Sequence, residues 1–211
     1  DHPMTVEGYL SKLGKDPAIE VTATMGVADL LEPVLQKSEV NVLILDVTVP
    51  ISSENRNSYP ILHVIPTLLD EHPNLNILVV SMRVERALIR GVMDAGANGY
   101  ILKDDQNANL NFLEIVKLVA EGGVYLSEEA GKVYDKQLEK ENGKQLSPRQ
   151  LEALSLCAAY PGEKSMLLAT KMHITHSAFR NLLSGAYIKL GARNRTEAIA
   201  KAKQIGLITP D

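Results

Sequence analysis

The run Asn41-Val42-Leu43-Ile44-Leu45 is apolar enough for a strand buried on both faces, yet the next residue is Asp46. An unpaired carboxylate is costly to bury, so Asp46 belongs at a mouth open to water or within a site. Two other polar groups end apolar runs in the same way: Ser81 in "NILVVSM" and Lys103 in "GYILK". A carboxylate, a hydroxyl and an ammonium brought together suit an acidic oxygen that accepts a phosphoryl group, with Lys103 and Ser81 holding the new oxygens. A second set lies in "HITHSAFRNLLSGAYIKLG", where helical spacing puts His176, Ser177, Arg180, Asn181 and Ser184 on one face. Those side chains can read groove edges or phosphates of a nucleic acid.

The elements that must position the first set are legible as two alternating periods. Short β-rich runs occur at 18–25, 41–46, 76–82 and 99–103, and between them lie "DLLEPVLQ", "ILHVIPTLLDEH", "VERALIRGVMDAGA" and "NLNFLEIVKLVAEGG" with helical spacing. The alternation predicts an α/β doubly wound parallel sheet covered by helices on both faces. In such folds the carboxyl ends of the strands form the ligand crevice, so Asp46, Ser81 and Lys103 converge there. Pro66 falls inside the second helical stretch and predicts a kink or a late start, while Gly96 and Gly99 bracket a short connection.

From Leu146 onward the pattern is all-α, with four helices. Ser147 and Pro148 form a strong helix start, and "EKSMLLATKM" is a short second helix. Thr175 caps a third, in which Phe179, Leu183, Ala186, Tyr187 and Leu190 form one apolar stripe and Gly191 supplies the stop. Asn194, three before Glu197, starts the fourth. A short helix, a tight turn and a longer polar-faced helix make the layout of a helix-turn-helix reader. Charge agrees: residues 146–211 hold nine basic against four acidic side chains, net +5, whereas residues 1–145 hold thirteen against twenty-two, net −9. Aromatic content is 4% with no tryptophan, so stacking platforms for single strands are scarce and a helix in a groove is the expected mode.

Other classes recede. The one cysteine, Cys157, excludes an internal disulfide, fits a reducing cytoplasm, and lies in an apolar helical stretch as an inert buried thiol. No apolar run approaches the roughly 18 residues of a membrane span, and no signal-peptide layout is present. Nor is there a nucleophile–base–orienter set, a Walker loop or a metal-spaced His/Cys cluster, so an independent enzyme is not expected.

"LILDVTVP", "ILVVS" and "AGANGYILKD" resemble the receiver domain of bacterial response regulators, and the opening "DHPMTVEGYL" is similar to the end of the "DDHP" motif of the NarL/FixJ group. "LSPRQLEAL" and "YIKLGARNRTEAIAKA" resemble the LuxR-type helix-turn-helix. The resemblance implies a flavodoxin-like receiver at 1–122, a linker at 123–145 and a DNA-binding domain at 146–211. It further implies that Asp46 accepts phosphate and that Mg²⁺ is held by Asp1, Asp46 and the backbone carbonyl of Thr48. Lys103 would pair with the phosphoryl group, Ser81 would bind it on switching, and Tyr100 would be the coupled aromatic. In the reader, Arg180 takes the recognition position, beside Thr175, His176, Ser177, Asn181 and Ser184. Lys189, Arg193 and Arg195 fall where basic side chains meet phosphates. The implied partners are double-stranded DNA, a second copy of the chain and a sensor histidine kinase.

The sequence also departs from that pattern. It opens inside the "DDHP" motif, so the first strand and one acid of the pair are expected upstream. The loop at 51–59 is long, Met82 follows Ser81 where a small residue is usual, and Met166, Leu167 and Leu182 replace polar residues of the reader. Two alternatives follow from these departures. One is a receiver that is not phosphorylated and is controlled by a ligand, a partner or abundance. The other is a protein-interaction module whose helix-turn-helix no longer binds DNA.

Overall fold

The computed structural model describes residues 3–135 and 146–208. Helix α1 (Pro3–Leu13) is followed by a single 3₁₀ turn and α2 (Leu31–Lys37), then by β1 (Val42–Asp46), α3 (Ile61–Glu71), β2 (Asn76–Ser81), α4 (Arg86–Asp94) and β3 (Gly99–Leu102). After α5 (Gln106–Leu110) and α6 (Phe112–Ala120), the short strand β4 (Tyr125–Leu126) leads into α7 (Glu128–Asp135). The strands form one parallel sheet in the order β1-β2-β3-β4. Alternation along β2 decides which face each residue serves: Ile77 and Val79 join the core under α3 and α4, while Leu78 and Val80 join the core under α6 with Phe112, Ile115 and Val119. This is the period of two expected for a strand buried on both faces.

Three expectations change. Residues 18–25 form no strand, although their composition suits one. A strand needs a hydrogen-bonded neighbour, and among the described residues β1 pairs only with β2. On its other side lies a cavity of about 690 Å³, lined by Ile19, Thr22, Met25, Val42, Ile44 and Asp46 among others. The stretch read as a linker is in part structural: Tyr125–Leu126 pairs with β3, and α7 packs on α4 and β3. Pro66 is accommodated within α3, which runs unbroken from Ile61 to Glu71.

The second domain consists of α8 (Pro148–Ala159), α9 (Ser165–Lys171), α10 (His176–Leu190) and α11 (Arg195–Gln204). Its ends are set by the residues that signalled them. Ser147 and Gln150 form a complete capping box, Asn194 accepts from the Glu197 amide, and Gly191 takes the left-handed conformation with φ 61°. The stripe of α10 closes this core, with Phe179, Leu183 and Ala186 buried.

Candidate phosphoryl site and nucleic-acid interface

Asp46 closes β1 at the carboxyl edge of the sheet. Its Oδ2 meets Lys103 Nζ at 2.5 Å, and its Oδ1 accepts from both the amide and the hydroxyl of Thr48 at 3.0 Å. The side chains of Asp46 and Lys103 are only 15% and 11% exposed, so the pair is largely shielded from water. Burial pushes the Asp46 carboxyl up, but the Lys103 and Thr48 bonds outweigh it and hold it below the usual carboxylate range. Asp46 is therefore an anion near neutral pH, as a phosphoryl acceptor must be. Tyr9 of α1 lies near enough that burial, then the Asp46 charge, push its phenol up to about 12; its ring stacks on Phe112 at 4.2 Å.

Ser81, at the end of β2, is buried, and its hydroxyl accepts from the Arg83 amide at 3.0 Å. Tyr100 points inward from β3, fully buried, and donates to the Arg83 carbonyl at 2.8 Å. Ser81 and Tyr100 thus hold the same short loop, residues 81–85, which runs into α4. Met82 is 59% exposed and turns outward beside Lys103 at the mouth of the site.

The magnesium set is incomplete among the described residues. Asp1 lies outside them, and both oxygens of Asp46 are already bonded to Lys103 and Thr48. The described residues do not by themselves make a Mg²⁺ site. Among them, the one grouping of three ligand-type side chains is Glu32, Glu71 and His72, with donor atoms within 4.8 Å of one another. It lies at the opposite end of α3 from the loop after Asp46, with His72 Nε2 3.7 Å from Glu32. Nothing in the sequence spacing signals this group, because Glu32 comes from a different helix.

In the second domain, His176, Ser177, Arg180, Asn181 and Ser184 are all exposed on one face of α10. Thr175 caps that helix and bonds Ser177. Among the described residues the Arg180 guanidinium has no hydrogen-bond or ion-pair partner. Arg193 is exposed as well. The other two expected phosphate contacts are engaged internally. Lys189 Nζ donates to Gln150 at 3.0 Å, and the Arg195 guanidinium donates to the carbonyls of Cys157, Tyr160 and Glu163. Arg195 closes the end of α8, a role that its position in the basic run does not signal. Met166 and Leu167 are 62% and 54% exposed on α9. Cys157 is buried, and burial pushes its thiol up to about 11, as an inert thiol requires.

The two domains touch through α8. Helix α8 packs on α3 and α4, and Glu152, buried within it, accepts from His63 of α3 at 2.8 Å and from Arg149 at 2.8 Å. Asn55 and Asn57 of the long loop donate to the Ala159 carbonyl at 3.2 and 3.1 Å. Gly206, with φ 69°, lies against Glu85 at the start of α4, so closely that a Cβ there would not fit.

A parallel α/β domain with an acidic residue, a hydroxyl and a lysine at its strand ends, joined to a helix-turn-helix domain, is the architecture of a receiver-type regulator. Comparison with known proteins carries this over nearly the whole chain. No model of a protein family matches the chain. The transcriptional regulatory protein DegU of Brevibacillus brevis is 23% identical over 99% of this chain and 92% of its own length. YdfI of Bacillus subtilis, another transcriptional regulatory protein, is 27% identical over 88% of this chain and 80% of its own. The nitrate/nitrite response regulator NarP of Escherichia coli is 24% identical over 94% and 89%. In fold, the chain matches RcsB from Salmonella enterica serovar Typhimurium, solved on the rprA promoter with a phosphomimetic, at a TM-score of 0.64 with 21% identity over 95% of this chain and 94% of that one. The likeness to NarL/FixJ-type response regulators thus covers both domains in the same order.

Proposed function

We propose that this chain is a DNA-binding transcriptional response regulator in which phosphorylation of Asp46 gates the reader domain. The observation that carries it is the joining of two sites in one chain: the shielded Asp46–Lys103 pair at the sheet edge and the open polar face of α10 around Arg180. When Asp46 takes a phosphoryl group, Lys103 follows the new charge and the Thr48 bonds to Oδ1 are remade. The Ser81 hydroxyl, now on the Arg83 amide, is the donor available to a phosphoryl oxygen. On the reader, Arg180 and Asn181 meet base edges and Arg193 a phosphate, in the geometry of a recognition helix in the major groove. Double-stranded DNA and a second copy of the chain are the partners, because half-sites on DNA pair with two-fold protein symmetry; a sensor kinase supplies the phosphoryl group. The test is intact mass after incubation with Mg²⁺ and acetyl phosphate. A gain of one phosphoryl group that disappears in Asp46→Asn is expected, and no gain by folded protein removes the phosphoacceptor role.

One observation favours a second reading. Both oxygens of Asp46 are already satisfied by Lys103 and Thr48, as in a carboxylate kept for structure. On that reading the receiver is controlled without phosphate, and binding to duplex DNA is the same with and without a phosphodonor.

A further inference from the structure

Helix α8 is buried on nearly every side, and its polar groups are met partly from within its own domain and partly from residues 55–63 of the first. Its C-terminal carbonyls have no intrahelical donors. Arg195 takes two of them, at Cys157 and Tyr160. The Ala159 carbonyl is left to Asn55 and Asn57, whose side-chain amides both donate to it. Nearer its start, the buried Glu152 needs a partner for each oxygen, and one of the two is His63. Three side chains from residues 55–63 therefore hold one helix of the reader.

That segment is tied to the acceptor. Thr48 bonds Asp46 through both its amide and hydroxyl, and the Val49 carbonyl accepts from the Tyr59 amide at 2.8 Å. Pro50 pairs with Ser58 across the base of the loop. Inside it, Ser52 and Asn55 accept from the amides of Asn55 and Asn57, which fixes where the two amide groups point. The loop is thus an ordered arm with one end at Asp46 and the other on α8. This explains the length of residues 51–59, which nothing in the acceptor chemistry requires.

We propose that residues 51–59 and His63 form a latch that caps α8 and holds the reader domain against the receiver, and that a change at Asp46 is passed to the reader by loosening this latch. The second half of that statement rests on the gating reading above; the first half does not. Remaking the Thr48 bonds shifts the base of the arm, and the amide groups of Asn55 and Asn57 move off the Ala159 carbonyl. The polar face of α10 is already exposed, so the latch controls the freedom of the reader relative to the receiver and leaves access to that face unchanged.

The test is hydrogen exchange of the full chain, with no DNA present, on wild type and on Asn57→Ala/His63→Ala. Residues 152–160 are expected to exchange at least about tenfold faster in the variant, a loss of about 1.4 kcal/mol of protection, while β2 and β3 keep their protection. Unchanged protection of α8 overturns the latch. Asn57→Ala alone removes one donor to Ala159 and no bond inside the loop, so it keeps the test decisive if the double variant unfolds; α8 must still exchange faster than in wild type. Acetyl phosphate with Mg²⁺ then separates the two claims. Faster exchange of 152–160 in wild type, absent in Asp46→Asn, is expected. A latch that responds to the Asn57 and His63 changes while phosphorylated protein shows no change keeps the cap and overturns the coupling. No phosphorylation at all leaves the cap standing and sinks the gating reading.

Discussion

The pocket around Asp46 and the exposed face of α10 treat polar groups in opposite ways. Around Asp46 the key bonds are internal: its carboxylate is bonded to Lys103 and Thr48, and Ser81 and Tyr100 are bonded to the 81–85 loop. On α10, Arg180 and its neighbours are held out on an exposed face. A pocket that must keep a charged group poised cannot leave it unpaired in a low-dielectric setting. A surface that awaits a polyanion loses affinity if its own protein satisfies it first. The two regions should therefore answer differently to substitution, the first in stability and the second in binding.

The largest effect is expected from Lys103→Ala. It strands a shielded carboxylate and should destabilise the first domain by about 3–5 kcal/mol, read as a lower urea midpoint by circular dichroism. A loss well under 1 kcal/mol would mean the pair is better solvated than its exposure indicates. Arg180→Ala sharpens the contrast from the other side. Stability should change by no more than about 0.5 kcal/mol, while affinity for duplex DNA, measured by fluorescence anisotropy, should fall by about 1–3 kcal/mol.

Acidity probes the pocket more gently. Because the folded Asp46 carboxyl is held below its ordinary value of about 4, its stabilising contribution is present above that pH and is lost as pH falls through the depressed folded value. Wild type should thus lose stability over that acid range relative to Asp46→Asn; parallel pH profiles would contradict the pairing. The smallest effect concerns the turn before α10, where His173 has φ 53°. His173→Gly relieves a left-handed conformation worth about 1–2 kcal/mol in a non-glycine residue, less the entropy glycine loses on folding. A slightly higher melting temperature of the second domain is expected.

Much of this was legible because its causes are local. Ser147-Pro148, Gly191 and Asn194 each act within a few residues, and the helix ends fall where they point. The β1, β2 and β3 runs carry their own burial pattern. What was not legible depends on partners distant in sequence. Residues 18–25 have the composition of a strand but no neighbour to bond. The two-residue β4 and α7 exist because β3 and α4 receive them. Arg195 looked like a phosphate contact from its place in the basic run, and only the packing of α11 on α8 directs its guanidinium to three carbonyls. The Asn55, Asn57 and His63 contacts to α8 span about a hundred residues of chain and leave no mark in local spacing.

The most direct measurement of the central claim is affinity for a pool of random-sequence DNA duplexes, before and after acetyl phosphate and Mg²⁺, for wild type and Asp46→Asn. Tighter binding by phosphorylated wild type, with no response from Asp46→Asn and a loss on Arg180→Ala, is the result this account predicts. Equal affinity in every state, or binding indifferent to Arg180, would contradict it.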